Sequence, residues 1–163
     1  MITTRPATEA DAESIARIYN QGIEDRQATL ETELRSAEER RAWLTARGVR
    51  HPVVVAEDAG EVVGWGSLNQ FNPRAAYDHV CDFSVYVARE RRGAGVGTAL
   101  LTELERRARG LGYHKMVLAA FPTNAPGTRL YEKQGFRTVG VHREQGMLDG
   151  AWVDVMVMEK ILG

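Results

Sequence analysis

The spacing of apolar residues along the chain changes several times between helical and strand periodicity. After a short apolar run at the start, an apolar stripe recurs at helical intervals, formed by Ile15, Ile18, Tyr19 and Ile23. Thr8, with Asp11 three residues later, is a variant of the capping box that opens helices. The beginning of the chain therefore predicts a strand followed by an amphipathic helix.

A second helix and a hairpin are predicted next. Ser36 is a helix N-cap signal, and we expect this helix to run to about Arg47 and to end at Gly48. Two β-rich runs between residues 52 and 71 flank the turn sequence Asp58-Ala59-Gly60-Glu61. This pattern predicts two antiparallel strands.

From residue 80 onward, strand and helix patterns alternate. Four segments follow one another: a strand at Val80–Val87, a helix from Thr98, a strand at Lys115–Phe121 and a helix from about Asn124 to Gln134. Strands joined by a crossover helix run parallel, because that connection returns the chain to the same end of the sheet. We therefore expect these two strands to form a parallel pair.

The last part of the chain predicts a closing hairpin. Apolar and polar positions alternate in Phe136–Arg143 and in Trp152–Glu159, on either side of Asp149-Gly150. Together the elements predict one mixed α/β domain over residues 1–163, with a central sheet of about seven strands and four flanking helices. We expect the sheet to be mostly antiparallel with one parallel pair.

Composition narrows the class of protein. The chain has 163 residues, 44% hydrophobic and 26% charged, which suits one well-packed domain. A net charge of −1 argues against a nucleic-acid partner, and no apolar run is long enough to cross a membrane. The four histidines lack metal-ligand spacing, so we expect no metal. The single cysteine, Cys81, and the absence of a signal peptide predict a cytoplasmic protein.

Residues 82–112 place a turn rich in glycine and arginine between an apolar strand and an amphipathic helix. Arg92, Gly95 and Gly97 fall in this turn, and glycine allows backbone N–H groups to approach a phosphate closely. The dinucleotide fingerprint does not fit because its third glycine is missing, and a Walker A loop does not fit because its lysine is missing. The turn predicts a phosphate cradle of another kind, flanked by mobile arginines.

The spacing R-x-x-G-x-G in this turn resembles the acetyl-CoA loop of the GNAT superfamily of N-acetyltransferases. The order of elements also resembles the GNAT fold, and FPTNAPGTRLYEKQGF, from Phe121 to Phe136, resembles the second motif of that family. The resemblance implies an acyltransferase that uses acetyl-CoA. It implies cofactor contacts from Val85, Tyr86, Val87, Arg92, Gly93, Ala94, Gly95, Gly97, Thr98 and Asn124.

Acetyl transfer to nitrogen needs a base for the amine, a polarised thioester carbonyl and a proton for the leaving sulfur. Asp82 takes, by resemblance, the position of the general base of phosphinothricin acetyltransferases, which is usually a glutamate. Tyr131 is the candidate acid by the same resemblance, with packing under the cofactor arm as the alternative. Asn124 is a cofactor contact, an N-cap or both.

Three segments resemble the subfamily that acetylates phosphinothricin, methionine sulfoximine, methionine sulfone and arsinothricin. The stretch IYNQGIEDRQATLETELRSAEERRAW offers Thr29 and Glu31 as substrate contacts, although a polar loop explains them equally well. The loop NPRAAY offers Tyr77 and Arg74, whose planar guanidinium suits a carboxylate or phosphinate. In DGAWVD, Val153 replaces the subfamily histidine, which puts more weight on a carboxylate base and favours an arsinothricin-type enzyme.

The resemblance further implies a small amino acid substrate and a homodimer. Trp65 and Trp152 are expected in the core rather than against substrate. Two other functions are compatible with the same cofactor motifs. One is a protein N-terminal acetyltransferase, which needs an open groove for a peptide, and the other is an acyl-CoA-binding sensor without catalysis. The pairing of Asp82 with Tyr131 argues against the sensor.

Overall fold

The computed structural model describes residues 1–26 and 28–163. These residues form seven strands, four α-helices and three short 3-10 turns. The strands are β1 (Ile2–Pro6), β2 (Val53–Asp58), β3 (Glu61–Gln70), β4 (Val80–Val87), β5 (Lys115–Ala120), β6 (Arg137–Leu148) and β7 (Ala151–Ile161). The helices are α1 (Ala12–Glu24), α2 (Ala37–Thr45), α3 (Val96–Gly110) and α4 (Ala125–Lys133), and the 3-10 turns are Glu9–Asp11, Ala75–Tyr77 and Arg89–Arg91. Among these helices, none combines the length and apolar character that a membrane crossing requires.

The strands lie in the order β1-β2-β3-β4-β5-β7-β6, and every neighbouring pair is antiparallel except β4 and β5. The predicted mixed sheet with one parallel pair is therefore confirmed. Side chains of α1 and α2 pack on one face of the sheet, whereas α3 and α4 cover the other. The core consequently has two halves separated by the sheet.

Successive residues of β4 point into different halves of this core. Phe83 is buried among the residues of α3, whereas Tyr86 packs with Trp65 on the α1 side. Asp82 and Ser84 share the α1 side with Tyr86, because a strand alternates its side chains between faces. The Asp82 carboxylate therefore lies on the opposite face of the sheet from Phe83.

The parallel pairing of β4 with β5 is short. Only Val80, Cys81 and Asp82 of β4 have partners on β5, although β4 pairs with β3 as far as Val87. From Phe83 onward, β4 and β5 diverge, and the free edge of β4 faces the gap between them. Asp82 is the last residue before this fork.

The start of α1 confirms the predicted signal with a small shift. The Asp11 carboxylate accepts the Thr8 backbone N–H at 2.7 Å, and Arg5 donates two further bonds of 2.8 Å to it. The chain makes a 3-10 turn there before α1 begins at Ala12. Within the predicted apolar stripe of this helix, Ile15, Ile18 and Ile23 are buried, whereas Tyr19 is partly buried.

The second helix ends earlier than predicted. Ser36 caps it as expected, since its Oγ accepts the Glu39 N–H at 3.1 Å, but the helix stops at Thr45 rather than near Arg47. Arg47 leaves the helix because its side chain turns inward, where its Nε donates to the His51 carbonyl at 2.9 Å. Arg47 Nη2 also donates to the Leu68 carbonyl of β3. These side-chain hydrogen bonds therefore override the helical pattern at position 47.

The closing hairpin is longer than the alternation predicted. A bulge in β6 places residues 143–145 opposite Asp154, whose carboxylate accepts the Glu144 N–H at 2.8 Å. The polar residues of the bulge interrupt the alternation of apolar and polar positions in β6. For this reason the predicted strand ended at Arg143, whereas β6 continues to Leu148. The turn at Asp149 and Gly150 has φ values of 52° and 78°, as a tight hairpin requires.

The two tryptophans named in the sequence differ in environment. Trp65 is 2% exposed and stacks on Tyr86, so its predicted core position is confirmed. Trp152 is 62% exposed, so its predicted core position is wrong. Its strand partner is Met147, next to the hairpin turn, where no helix covers that end of the described sheet.

Candidate active site

A groove of about 660 Å³ opens where β4 and β5 separate. Ten residues that the sequence singled out line it: Val85, Tyr86, Val87, Arg92, Gly93, Gly95, Gly97, Thr98, Asn124 and Tyr131. The groove thus joins the glycine-rich turn, the second motif and the free edge of β4. Ala94 lies within the turn instead, where its N–H donates to the Arg91 carbonyl at 3.3 Å.

The glycine-rich turn has the backbone geometry that the sequence predicted. Gly93 and Gly95 have φ values of 80° and 91°, a region that side chains with a Cβ rarely adopt. Gly95 is the N-cap of α3, which begins at Val96, two residues earlier than predicted. The first N–H groups of α3 therefore lie at the groove, together with the positive end of the helix dipole.

Gly97 is required for packing rather than for the turn. It lies in the first turn of α3, and a Cβ there would come within 3.0 Å of Leu130 Cδ2 on α4. Its absence allows α3 and α4 to approach closely on the two sides of the groove. From the sequence, Gly97 was expected to belong to the phosphate-binding turn. In the structure it belongs to α3 and serves the packing of that helix.

The arginines of the turn are already paired with carboxylates. Arg92 donates to Asp25 at 2.7 Å, and Arg89 donates to the same carboxylate at 2.9 Å. Arg91 points to the β2–β3 turn, where it donates to Asp58 at 2.6 Å. Of these three, only Arg92 lines the groove, so the expected cluster of mobile charge is reduced to one residue.

The start of α4 forms the opposite wall. Asn124 Oδ1 accepts the Gly127 N–H at 3.2 Å, which confirms the N-cap role and leaves its amide NH₂ available toward the groove. Arg129 and Lys133 also line the groove, one helical turn apart. Sequence reasoning missed this basic pair, although its spacing of four residues on a helix was visible.

Asp82 lies at the fork, and the pKa of its carboxyl group is raised. Burial raises the pKa of its carboxyl group to about 6, and a hydrogen bond from Asn69 Nδ2, at 3.3 Å, opposes part of that increase. Such a group is mostly ionised at neutral pH yet still basic enough to accept a proton. This combination suits a general base.

Tyr131 lies against the apolar half of the core. Its ring packs edge-on against Phe83, at a centroid distance of 5.9 Å, and against Phe136 at 6.2 Å. Burial, with a smaller contribution from the Asp82 charge, raises the pKa of its hydroxyl to about 12. The hydroxyl therefore stays protonated and can donate a hydrogen bond.

The segment 28–36 covers the α1 side of the fork. Asn20 holds its end, since the side-chain amide donates to the Arg35 carbonyl at 2.9 Å and accepts the Arg35 N–H at 2.8 Å. Leu30 packs on β6 so closely that a Cβ at Gly146 would lie 2.9 Å from its Cδ2. An Arg26–Asp149 ion pair at 2.9 Å joins the same region to the hairpin turn. The segment thus bridges α1 and the closing hairpin.

The predicted substrate residues are not gathered in the groove. Thr29 and Glu31 lie on the bridging segment, where Glu31 pairs with Arg35 at 3.0 Å. Val153 lies opposite Gly146 on the hairpin and therefore near Leu30.

Arg74 and Tyr77 lie outside the groove as well. Arg74 precedes the exposed 3-10 turn before β4 and Tyr77 ends it, and the Tyr77 ring lies 5.6 Å from that of Phe71. The described residues contain no group of three or more His, Cys, Asp or Glu side chains that could hold a metal ion.

Comparison with known proteins gives the family. Residues 15–136 match the model of the acetyltransferase (GNAT) family. The L-methionine sulfoximine/L-methionine sulfone acetyltransferase of Pseudomonas paraeruginosa is 35% identical to this chain, over 95% of this chain and 91% of its own.

Two solved structures have the same fold. The GNAT superfamily phosphinothricin acetyltransferase of Sinorhizobium meliloti, in complex with AcCoA, superposes with a TM-score of 0.91 at 34% identity, over 99% of this chain and 89% of that one. The ribosomal-protein-alanine N-acetyltransferase of Brucella melitensis superposes with a TM-score of 0.94 at 38% identity, over 98% and 99%. The chain therefore belongs to the GNAT family of acetyltransferases, whose acetyl donor is acetyl-CoA.

Proposed function

We propose that this enzyme transfers an acetyl group to the α-amino group of a small glutamate- or methionine-like amino acid analogue. The acceptors we propose are arsinothricin, phosphinothricin, methionine sulfoximine and methionine sulfone, and acetylation would detoxify them. The observation that carries the proposal is the divergence of β4 and β5 immediately after Asp82. A free strand edge and a glycine-rich helix start line the groove that opens at this fork, and the carboxylate of Asp82 belongs to the last paired residue before it.

The residues of the groove fit acetyl-CoA. The positive φ values of Gly93 and Gly95 favour residues without a Cβ, which leaves the backbone N–H groups of the turn accessible to a bound pyrophosphate. Positive charge along the groove suits the phosphate group of acetyl-CoA that lies outside the pyrophosphate. It comes from Arg92, Arg129 and Lys133. When bound, acetyl-CoA supplies the activated acetyl group and the leaving sulfur.

The residues of the chain then divide the work of transfer. Asp82 takes the proton of the acceptor ammonium through a bridging water, because its side chain is one methylene shorter than the usual glutamate. Backbone N–H groups of Val85–Val87 polarise the thioester oxygen from the free edge of β4.

Tyr131 acts by hydrogen bonding rather than by giving up its proton. Its pKa of about 12 lies well above that of an ordinary thiol, about 8.5, so a full proton transfer to the leaving sulfur would be uphill. A hydrogen bond from its hydroxyl stabilises negative charge on that sulfur. Tyr131 is therefore proposed as a hydrogen-bond donor to the sulfur, and neither as a proton donor nor as a packing residue alone.

A small acceptor is favoured by the segment that bridges α1 and the closing hairpin. The Asn20–Arg35 pairing, the Arg26–Asp149 ion pair and the Leu30–Gly146 contact support a roof over the α1 side of the fork. A peptide substrate would need an open groove there. The names of the relatives that act on methionine sulfoximine, methionine sulfone and phosphinothricin support the same class.

Among these acceptors, the environment of Val153 favours arsinothricin. Val153 lies opposite Gly146 beside the apolar Leu30, so position 153 itself supplies no second base. Arg74 and Tyr77 remain candidates for holding an acidic acceptor tail, since both are accessible on the turn before β4. Arg74→Lys keeps the charge but loses the bidentate geometry, and we expect it to raise the acceptor KM.

A thiol-release assay over a panel of acceptors tests the proposal. The panel contains the four analogues, their parent amino acids glutamate and methionine, and peptides with N-terminal alanine. We expect kcat/KM for at least one analogue to exceed that for every peptide by about tenfold or more. A preference for alanine peptides would establish the second candidate, which the similarity to the Brucella melitensis enzyme favours. No release with any acceptor, together with tight acetyl-CoA binding, would establish the sensor.

We also propose that the enzyme is a homodimer. Val141, Met147 and Trp152 are each about half exposed or more, and the register of β6 and β7 puts them on one face of the hairpin. Exposed apolar side chains grouped in this way are typical of an interface. Light scattering should give the mass of two chains, and Val141→Glu should lower it to one.

The location that we propose is the cytoplasm. Cys81 is a free thiol buried in the core, which is compatible with a reducing compartment. Fractionation of cells that produce the protein should leave it with the cytoplasmic markers.

A further inference from the structure

Asp82 is connected to a half-buried arginine, Arg47, through a single asparagine. Asn69 Nδ2 donates to Asp82 Oδ1 at 3.3 Å and to Ser84 Oγ at 3.2 Å. On its other side, Asn69 Oδ1 accepts from Arg47 Nη2 at 2.9 Å and from Ser67 Oγ at 3.0 Å. All four groups around the Asn69 amide are therefore satisfied by one orientation of that amide.

The opposite orientation of the amide would be unfavourable at both ends. Rotation by 180° would direct the Nδ2 hydrogens of Asn69 at the Arg47 guanidinium, where two donors would meet. It would also direct Oδ1 at the Asp82 carboxylate, where two acceptors would meet. Arg47 thus selects the orientation in which Asn69 donates to Asp82.

The position of Arg47 is otherwise difficult to explain. Among the described residues it has no carboxylate within ion-pair distance, and its guanidinium donates to the His51 and Leu68 carbonyls and to Asn69. Burial lowers the pKa of Arg47 to about 10, so the side chain is still charged at neutral pH. Partial burial of a charge without a direct counter-charge is unfavourable, and here hydrogen bonds to two carbonyls and to Asn69 compensate for it.

Local packing fixes Arg47 in this place. Its guanidinium lies 4.4 Å from the centre of the Trp43 ring, and the Arg40 guanidinium lies at the same distance from that ring. The early end of α2 at Thr45 lets the chain turn Arg47 toward β3. The stacking and the helix end together hold the guanidinium against Asn69.

We infer that Arg47 and Asn69 are positioning residues that orient the Asp82 carboxylate at the fork and keep it ionised for proton uptake. This inference rests on the proposed role of Asp82 as the general base. Loss of either residue removes the donor that faces Asp82 Oδ1, directly at Asn69 or through rotation of the amide at Arg47. The carboxylate then holds its proton more tightly and loses its fixed direction.

The titratable groups on which the Asp82 charge acts are themselves neutral at physiological pH. They are Cys81 and Tyr86 on the same strand and Tyr131 on α4, and burial raises the pKa of each of them. The pKa of Cys81 and that of Tyr131 both lie at about 12. Asn69 is therefore the group through which β3 influences the proton affinity of Asp82 near pH 6.

The test measures the Asp82 carboxyl directly. In protein labelled with ¹³C at the aspartate carboxyl carbons, the Asp82 signal is assigned by its loss in Asp82→Asn and is titrated in each variant. We expect the midpoint to rise by about one pH unit in Arg47→Met and in Asn69→Ala, and less in Arg47→Lys. The acidic limb of the kcat/KM profile should move by the same amount, while the acetyl-CoA KM stays within about twofold.

Arg50→Met is the matched control. Arg50 lies three residues further on, stacks over Tyr113 at 4.4 Å and donates to the Asp78 carbonyl, so its loss removes one charge without touching Asn69. The control should leave both the midpoint and the limb unchanged. If Arg47→Met does not fold, Arg47→Lys and Asn69→Ala carry the test.

The outcomes separate this inference from the proposed function. An unmoved carboxyl midpoint in Asn69→Ala and in the folded Arg47 variants overturns the inference, whatever the role of Asp82. An equal shift in Arg50→Met also overturns it, because a general charge effect would then explain the result. If the titration midpoint of Asp82 shifts but the acidic limb of the kcat/KM profile does not, the positioning role of Arg47 and Asn69 is supported. Asp82 is then refuted as the general base.

Discussion

The two sides of β4 are built in different ways. On the donor side, most residues that line the groove come from three short continuous segments, residues 85–87, 92–98 and 124–133, and five of the lining residues are glycines. On the acceptor side, the site depends on side chains that meet from distant parts of the chain, such as Leu30 with Gly146 and Arg47 with Asn69. The donor side therefore follows local sequence, whereas the acceptor side follows tertiary packing.

This difference explains how one scaffold can keep its donor and change its acceptor. Backbone contacts and helix starts tolerate most side-chain changes, so acetyl-CoA recognition needs only a few glycines. The acceptor side changes whenever one contacting side chain is replaced, as at Val153. Asp82 lies at the junction of the two sides and serves both.

The largest effect is expected at this junction. Asp82→Asn should lower kcat by about 100-fold at pH 8, because it removes the proton acceptor but keeps the size of the side chain. Its melting temperature should equal or exceed that of the unmodified protein at pH 7. The reason is that burial raises the pKa of Asp82 from 3.8 to about 6, so its carboxyl lowers stability progressively as the pH rises between these values, and the full loss is present at pH 7.

A smaller effect is expected from Tyr131, which faces the donor. Tyr131→Phe should lower kcat by about tenfold, the loss of one hydrogen bond to a charged atom, and should leave the acetyl-CoA KM nearly unchanged. If Tyr131→Phe shows full activity in stopped-flow thiol release, Tyr131 serves only for packing. Phe136→Leu, in the same aromatic cluster, is the control for packing alone.

The donor wall can be disturbed without touching the acceptor side. Gly97→Val should raise the acetyl-CoA KM about fivefold, since overpacking against Leu130 forces α3 and α4 apart. Gly110→Val, at the far end of α3 with nothing within 4 Å, is the matched control and should leave that KM unchanged. Equal effects of both substitutions would mean that helix stability, and not groove width, controls donor binding.

The mildest effect is expected from the acceptor roof. Gly146→Val should displace Leu30, which is partly exposed and can move, and should raise the acceptor KM about threefold. The acetyl-CoA KM should not change, because the substitution lies outside the groove. Gly140→Val on the same strand has open space around it and should leave both constants unchanged. A change in the acetyl-CoA KM alone would contradict the division between donor and acceptor sides.

The same division decides what the sequence could predict. The glycine-rich turn, the N-cap at Asn124 and the parallel pair follow from short-range patterns, and they were found. The Arg47–Asn69 and Asn69–Asp82 contacts join residues 22 and 13 positions apart, and no periodicity encodes them. Trp152 was misplaced for the same reason, since exposure at the end of a hairpin depends on which elements cover it.

The central claim is that Asp82 collects the acceptor proton at the fork. Its most direct test is the pH dependence of a single turnover, started by mixing acceptor with the enzyme and acetyl-CoA, in the unmodified protein and in Asp82→Asn. We expect the rate of the unmodified protein to fall below about pH 6, where the raised pKa of Asp82 leaves the carboxyl protonated, and we expect this limb to be missing in the variant. The same limb in both proteins, with equal rates on the plateau, would contradict the claim.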